Sequence, residues 1–219
     1  MIQFRNITKT YKMGENEVPA LIKVSIDILN GDFVSVTGAS GSGKTTLMNI
    51  LGCLDMPSGG QYILDGEDVS RMTGRKLAVV RNRKIGFIFQ SFNLIPSLTA
   101  RENVILPLTY RKTPPKLREE LADRAIETVG LSERAHHRPA QLSGGQQQRV
   151  AIARAIAASP GLILADEPCG SLDSKTGADI MNILKRLNES GRTVVLITHD
   201  ENAARTADKM IRISDGRVV

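Results

Sequence analysis

The run Gly38-Ala39-Ser40-Gly41-Ser42-Gly43-Lys44-Thr45-Thr46 fills every fixed position of the pattern GxxxxGK(S/T). Glycines at 38, 41 and 43 let the backbone curl until successive N–H groups point inward, and a following helix adds its unpaired amides and positive dipole end. Such a nest holds the phosphates of a nucleotide. Lys44 is expected to reach the β- and γ-phosphates as a point charge, and the Thr45 hydroxyl to be a ligand of Mg²⁺. The pattern carries this chemistry only between a strand and a helix. Here the apolar run Phe33-Val34-Ser35-Val36 precedes it, and Leu47, Met48, Ile50 and Leu51 follow at helical spacing.

Three further apolar runs end in reactive groups. Ile85-Gly86-Phe87-Ile88-Phe89 ends at Gln90, Leu162-Ile163-Leu164-Ala165 at Asp166-Glu167-Pro168, and Thr193-Val194-Val195-Leu196-Ile197 at Thr198-His199-Asp200. Continuous apolar strands of this kind belong in a parallel sheet buried on both faces. Ligands of such sheets sit beyond the carboxyl ends of the strands, so the four groups are expected around one nucleotide. Asp166 is expected to hold Mg²⁺ through water, and Glu167 to orient the attacking water or accept its proton. A second anion site is expected at Gln141-Leu142-Ser143-Gly144-Gly145-Gln146-Gln147-Gln148-Arg149. There Ser143 stands at the N-cap of a helix, and two glycines leave its N-terminus unobstructed. Taken alone, that stretch reads equally as a capped turn.

The elements that position these groups follow from the punctuation of the chain. Short antiparallel strands are expected over residues 1 to 30, where apolar runs alternate with turn residues at Gly14, Pro19, Asn30 and Gly31. Hairpins are expected at Asp65-Gly66 and Asp215-Gly216. Tyr11, on this β lobe, either stacks on a nucleobase or packs at the lobe edge. Loop signals at Pro96, Pro107, Pro114-Pro115 and Pro139 separate helices such as 116–129 and the one opened by Ser143. Thr176 to Glu189 forms an amphipathic helix with Ile180, Ile183, Leu184 and Leu187 on one face.

With 219 residues, 41% hydrophobic and 24% charged, the chain has an ordinary globular composition and length for one sizeable core. The net charge of +6 suits nucleic acid, an anionic membrane surface or a polyphosphate alike. The basic stretch Arg71, Arg75, Lys76, Arg81, Arg83 and Lys84 reads as a solvated face, with anionic headgroups or a partner as the alternative. No run of about 18 apolar residues and no signal-peptide core occurs, so a cytoplasmic location is expected. Cys53 and Cys169 form no zinc-site spacing and read as buried or half-buried thiols; His136 and His137 read as surface residues.

The phosphate loop, Leu142 to Arg149 and Leu162 to Pro168 occur in the order and rough spacing of the ATPase subunit of ABC transporters. Over essentially its whole length the chain resembles that family. The resemblance implies a P-loop NTPase core with a mostly parallel sheet, an antiparallel β lobe and an inserted helical subdomain. One nucleotide-binding domain would span 1–219, with core and β lobe at about 1–90 and 159–219 and the helical subdomain at about 91–158. It implies that Tyr11 stacks on adenine, and that Gln90 touches Mg²⁺ or the attacking water and relays to a membrane partner. Ser143, Gly144, Gly145 and Gln146 resemble the signature motif, which binds the γ-phosphate of ATP held by the opposite subunit. Ser171-Leu172-Asp173 resembles the D-loop of the dimer interface, and His199 the switch histidine.

The implied cofactors are ATP and Mg²⁺. The implied partners are a second copy joined head to tail, a transmembrane permease subunit and, through it, a periplasmic adaptor; nucleic acid is not expected. The implied location is the cytoplasmic face of the inner membrane of a prokaryote. Gly86 to Pro96 and Glu102-Asn103-Val104 most resemble the branch serving lipoprotein release, macrolide efflux and cell division. The ATPase of a solute importer, a nucleic-acid-handling ATPase and a sensing scaffold stand as alternatives. Cys169 departs from the family's usual threonine.

Overall fold

The structure, a computed structural model, describes residues 1–14 and 16–219, with Met13 described by its backbone alone. The chain forms two compact units, residues 1–81 with 193–219, and residues 82–192. The 91–158 segment lies wholly within the second.

The first unit opens on a long hairpin, β1 (Ile2–Met13) and β2 (Asn16–Ile28), instead of the short strands expected there. Its irregularities bend the ribbon without breaking it: the register shifts on both sides of Ile7, and Asn6 and Lys23 take positive φ beside those shifts. Pro19 pairs opposite Thr10 on β2, an edge strand of its sheet and so a place that accepts proline. Next come β3 (Phe33–Thr37), α1 (Lys44–Leu51), β4 (Gly59–Leu64) and β5 (Glu67–Asp68). The expected turn at Asp65-Gly66 joins β4 to β5, with both residues at positive φ. The antiparallel sheet is ordered β2-β1-β4-β5. Ile2, Phe4, Ile7, Leu21, Val24 and Leu64 are buried in it. Phe4 meets Tyr62 edge-on at 4.6 Å, and the buried Tyr62 hydroxyl donates to Leu51 O at 2.8 Å. Most of the basic stretch is helical, α2 (Gly74–Lys84). Arg75, Lys76 and Arg83 are exposed, whereas Arg81 donates to Cys53 O at 2.7 Å.

In the second unit β6 (Ile85–Phe89) pairs in parallel with a later strand, and three α-helices intervene: α3 (Ala100–Tyr110), α4 (Pro115–Thr128) and α5 (Gly144–Ile156). Each start is specified locally. Thr99 and Glu102 form a capping box for α3, Pro115 opens α4, and Ser143 and Gln146 form a capping box for α5. Pro107 lies inside α3 and not in a loop; burial of Val104 and Leu108 offsets a penalty of roughly 3 kcal/mol for proline there. The parallel partner of β6 is β7 (Leu162–Asp166), and α6 (Ser174–Glu189) follows with Asp173 as N-cap.

The chain returns to the first unit as β8 (Thr193–Ile197), α7 (Glu201–Ala204), β9 (Lys209–Ser214) and β10 (Arg217–Val218). There β3 lies between β8 and β9, parallel to both, and β9 turns back on β10 at Asp215-Gly216. The fold is therefore α/β, with parallel strands in both units, an antiparallel lobe in the first and a helical segment in the second.

Candidate functional site

In the first unit the phosphate loop leaves β3 and enters α1. Its glycines are structural necessities. A Cβ on Gly38 would lie 2.2 Å from Ile213 O and 2.6 Å from Ser42 Oγ; one on Gly43, at φ 107°, would lie 2.6 Å from Ala20 O. Gly43 is also the N-cap of α1, so no side chain caps that helix and its first turn faces the loop. The Lys44 ammonium donates to Gly38 O at 2.8 Å and Ala39 O at 2.7 Å, which holds its charge against the loop. Ser42 Oγ is buried with no partner among the described residues. A curled backbone, an uncapped helix start, a cation and an unsatisfied hydroxyl together suit a polyphosphate. Ala39, Ser40, Gly41 and Thr45 are exposed, and Thr46 is half-buried.

His199 leaves β8 at the same sheet end. Val36 and Ile197 are paired in register, Thr198 N donates to Val36 O, and the exposed His199 follows. Asp200 then caps α7. Tyr11, on β1, is tied down: its hydroxyl donates to Asp55 Oδ2 at 3.0 Å, and Lys9 Nζ lies 4.9 Å over its ring while reaching Asp55 Oδ1 at 2.7 Å. Burial pushes the Asp55 carboxyl up, but Lys9, Tyr11 and the Met56 amide outweigh it, leaving the group below its usual range.

In the second unit Phe89 stands opposite Asp166, so Gln90 and Glu167 step off the same end of the β6–β7 pair. Glu167 takes a left-handed conformation, φ 45°, uncommon for a non-glycine residue and typical of functional turns. Gly170 leaves room for Gln90: a Cβ there would stand 2.8 Å from Gln90 Nε2, and Ser171 Oγ donates to Gln90 O at 3.4 Å. Leu172 and Asp173 continue to α6, where Thr176 Oγ1 donates to Asp173 Oδ2 at 2.6 Å. That bond, with the amides of Thr176 and Lys175, holds the Asp173 carboxyl below its usual range.

Ser143 caps α5 as expected. Its Oγ accepts from Gln146 N at 3.3 Å, and Gln146 Oε1 accepts from Ser143 N at 2.9 Å. The two glycines differ: a Cβ on Gly145 would lie 2.3 Å from Thr176 Cγ2, whereas one on Gly144 would meet Leu172 Cδ2 at 3.4 Å, an ordinary contact. Packing against α6 therefore dictates Gly145, but not Gly144.

A model of the ABC transporter family matches residues 21–170. The chain belongs to the ABC transporter family. It is an ATPase cassette of that family. This cassette is 52% identical to an uncharacterized ABC transporter ATP-binding protein of Thermotoga maritima, over 100% of its own length and 93% of that protein's. It is 50% identical to the macrolide export ATP-binding/permease protein MacB of Brucella melitensis, over all of its own length but 34% of the longer protein. Among solved structures it resembles MJ0796 of Methanocaldococcus jannaschii, described as a dimeric ATP-binding cassette in a post-hydrolysis state bound to ADP and Pi. That match has a TM-score of 0.91 at 50% identity and covers 100% of this chain and 96% of the other.

Several residues of the cassette's site escape sequence reasoning. Gly170 and Thr176 shape Gln90 and Gly145 through contacts that link distant segments. Asn103, quoted above only for its likeness, is a fully buried amide that bonds Ile95 N and O, Leu98 O and Thr99 O, and so pins the far end of the loop begun at Gln90. No helix among the described residues is long and apolar enough to cross a membrane.

Proposed function

We propose that this ATPase works as a head-to-tail dimer that drives a separate transmembrane permease, on the export, lipoprotein-release or mechanotransmission branch of the family. Each pocket would combine the phosphate loop of one chain, residues 38–46, with Ser143, Gly144, Gly145 and Gln146 of the other, and Ser171 to Asp173 would line the interface. The observation that carries this reading is the full-length likeness to MJ0796, itself described as a dimer. The likeness to MacB supports the export branch.

Lys44 and the loop amides would bind the phosphates, and Tyr11 the adenine. Thr45, Gln90 and Asp166 offer the hydroxyl, amide and carboxylate oxygens that suit Mg²⁺, which when bound neutralises charge on the phosphate oxygens. Glu167 orients the attacking water and takes its proton as the γ-phosphorus is attacked, and His199 contacts the terminal phosphate. The bond from that phosphorus to the bridging oxygen breaks, leaving ADP and inorganic phosphate. Attachment to the membrane would come through the permease, and an adaptor through the permease in turn.

The test is phosphate release by the purified chain with Mg²⁺ and ATP. Glu167→Gln is expected to bind ATP normally and hydrolyse it about 100-fold more slowly or worse. Lys44→Ala is expected to lose nucleotide affinity itself. Wild-type turnover in Glu167→Gln, or unchanged affinity in Lys44→Ala, would contradict the assignment.

A further inference from the structure

Helix α5 carries two polar side chains whose partners are the backbones of both catalytic loops in its unit. Gln148 is fully buried, and its Nε2 donates to Pro168 O at 2.7 Å. Its Oε1 is buried with no partner among the described residues. A methionine would fill the space without stranding an acceptor, which costs about 1–3 kcal/mol; the amide is therefore kept for the bond it donates. That bond lands beside Glu167, whose left-handed backbone persists only if its surroundings over-determine it.

Arg154, further along the helix, donates from Nη2 to Phe92 O at 2.8 Å and from Nη1 to Asn93 O. Both residues hold positive φ, 59° and 50°, in the loop begun at Gln90. Burial, with no carboxylate among the causes, pushes the Arg154 guanidinium below the usual range. A fork that spends two donors on consecutive carbonyls fixes a backbone. The two side chains leave the helix about 9 Å apart along its axis and on different sides, so one rigid element clamps both loops.

We propose that Gln148 and Arg154 are positioning residues for ATP hydrolysis, fixing the backbones at Glu167-Pro168 and at the Gln90 loop to the helix that begins at Ser143. This rests on the dimeric ATPase reading above. In such a dimer Ser143 meets the partner's nucleotide while Glu167 and Gln90 act on their own chain's, so α5 ties the two sites together.

The test is a double-mutant cycle with Glu167→Gln. Gln148→Met keeps the volume and removes the donor; kcat is expected to fall about ten- to a hundredfold, the scale of a misplaced catalytic group, with KM for ATP unchanged. In the Glu167→Gln background the same change is expected to alter the residual rate by less than about twofold, because the group it positions no longer acts. Arg154→Lys keeps the charge but lacks the fork; it is expected to lower kcat and speed amide exchange at residues 92–95. If Gln148→Met does not fold, Gln148→Leu, which also lacks the donor, carries the same cycle. Wild-type kcat in the Gln148 variant, or equal losses in both backgrounds, overturns the role of Gln148; unchanged kcat and exchange in Arg154→Lys overturns that of Arg154. If Glu167→Gln itself turns over at the wild-type rate, it is the catalytic role proposed for Glu167 that fails, so the two failures are distinct.

Discussion

Gly144 and Gly145 are indistinguishable in the sequence and separate in the fold. Gly145→Ala would drive a methyl into Thr176 Cγ2 and is expected to lower stability by about 1–3 kcal/mol, read as a lower urea midpoint. Gly144→Ala has room for its methyl and gains helix propensity, so its midpoint is expected to hold. Its ATP turnover is nevertheless expected to fall at least about tenfold, because the methyl would stand where a partner's phosphate needs the bare amide. Full turnover in Gly144→Ala would remove that corner from the mechanism. At this scale the legible residues are those whose type phosphate chemistry dictates at fixed offsets, such as Lys44, Thr45, Asp166 and Glu167. Gln148 and Arg154 are not legible. Only packing singles out the buried Gln148 from the half-buried Gln146 and Gln147, and an arginine that bonds carbonyls leaves no partner residue to find.

Between elements, α3 and α4 are joined by a two-pronged pair: Arg101 Nε reaches Asp123 Oδ1 at 2.6 Å and Nη2 reaches Oδ2 at 2.8 Å. The Arg101 guanidinium holds the Asp123 carboxyl below its usual range. A carboxyl depressed by folding stabilises above its unfolded pKa of about 3.9 and loses that contribution as pH falls through the folded value. The wild-type protein is therefore expected to exceed Asp123→Asn in stability near neutral pH by at most about 1 kcal/mol, since Asp123 is more than half exposed. The gap is expected to close on acidification, which urea midpoints across pH would measure; a gap independent of pH would deny the pair its electrostatic role. The apolar strands β3, β6, β7 and β8 are legible because strands buried on both faces leave unbroken runs. The hairpin of β1 and β2 is not, because Pro19 reads as a break whereas an edge strand with register shifts absorbs it. In α2 only Leu77 and Val80 are buried, too few for a period to emerge from the basic residues around them.

For the whole molecule, one consequence follows from where the groups lie. Within one unit the phosphate loop and His199 share a sheet end, and within the other Gln90 and Glu167 share theirs, while Ser143 opens a helix of its own. A dimer that traps ATP between the loop of one copy and the Ser143 corner of the other turns binding into closure and hydrolysis into release, which is the motion a permease would use. That trapped dimer is the central claim, and light scattering of Glu167→Gln tests it most directly. With Mg²⁺ and ATP the particle is expected at twice the chain's 23.8 kDa, and at the single-chain mass with ADP or when Ser143→Arg is added. A single-chain mass with ATP, or a dimer indifferent to Ser143→Arg, would contradict the account.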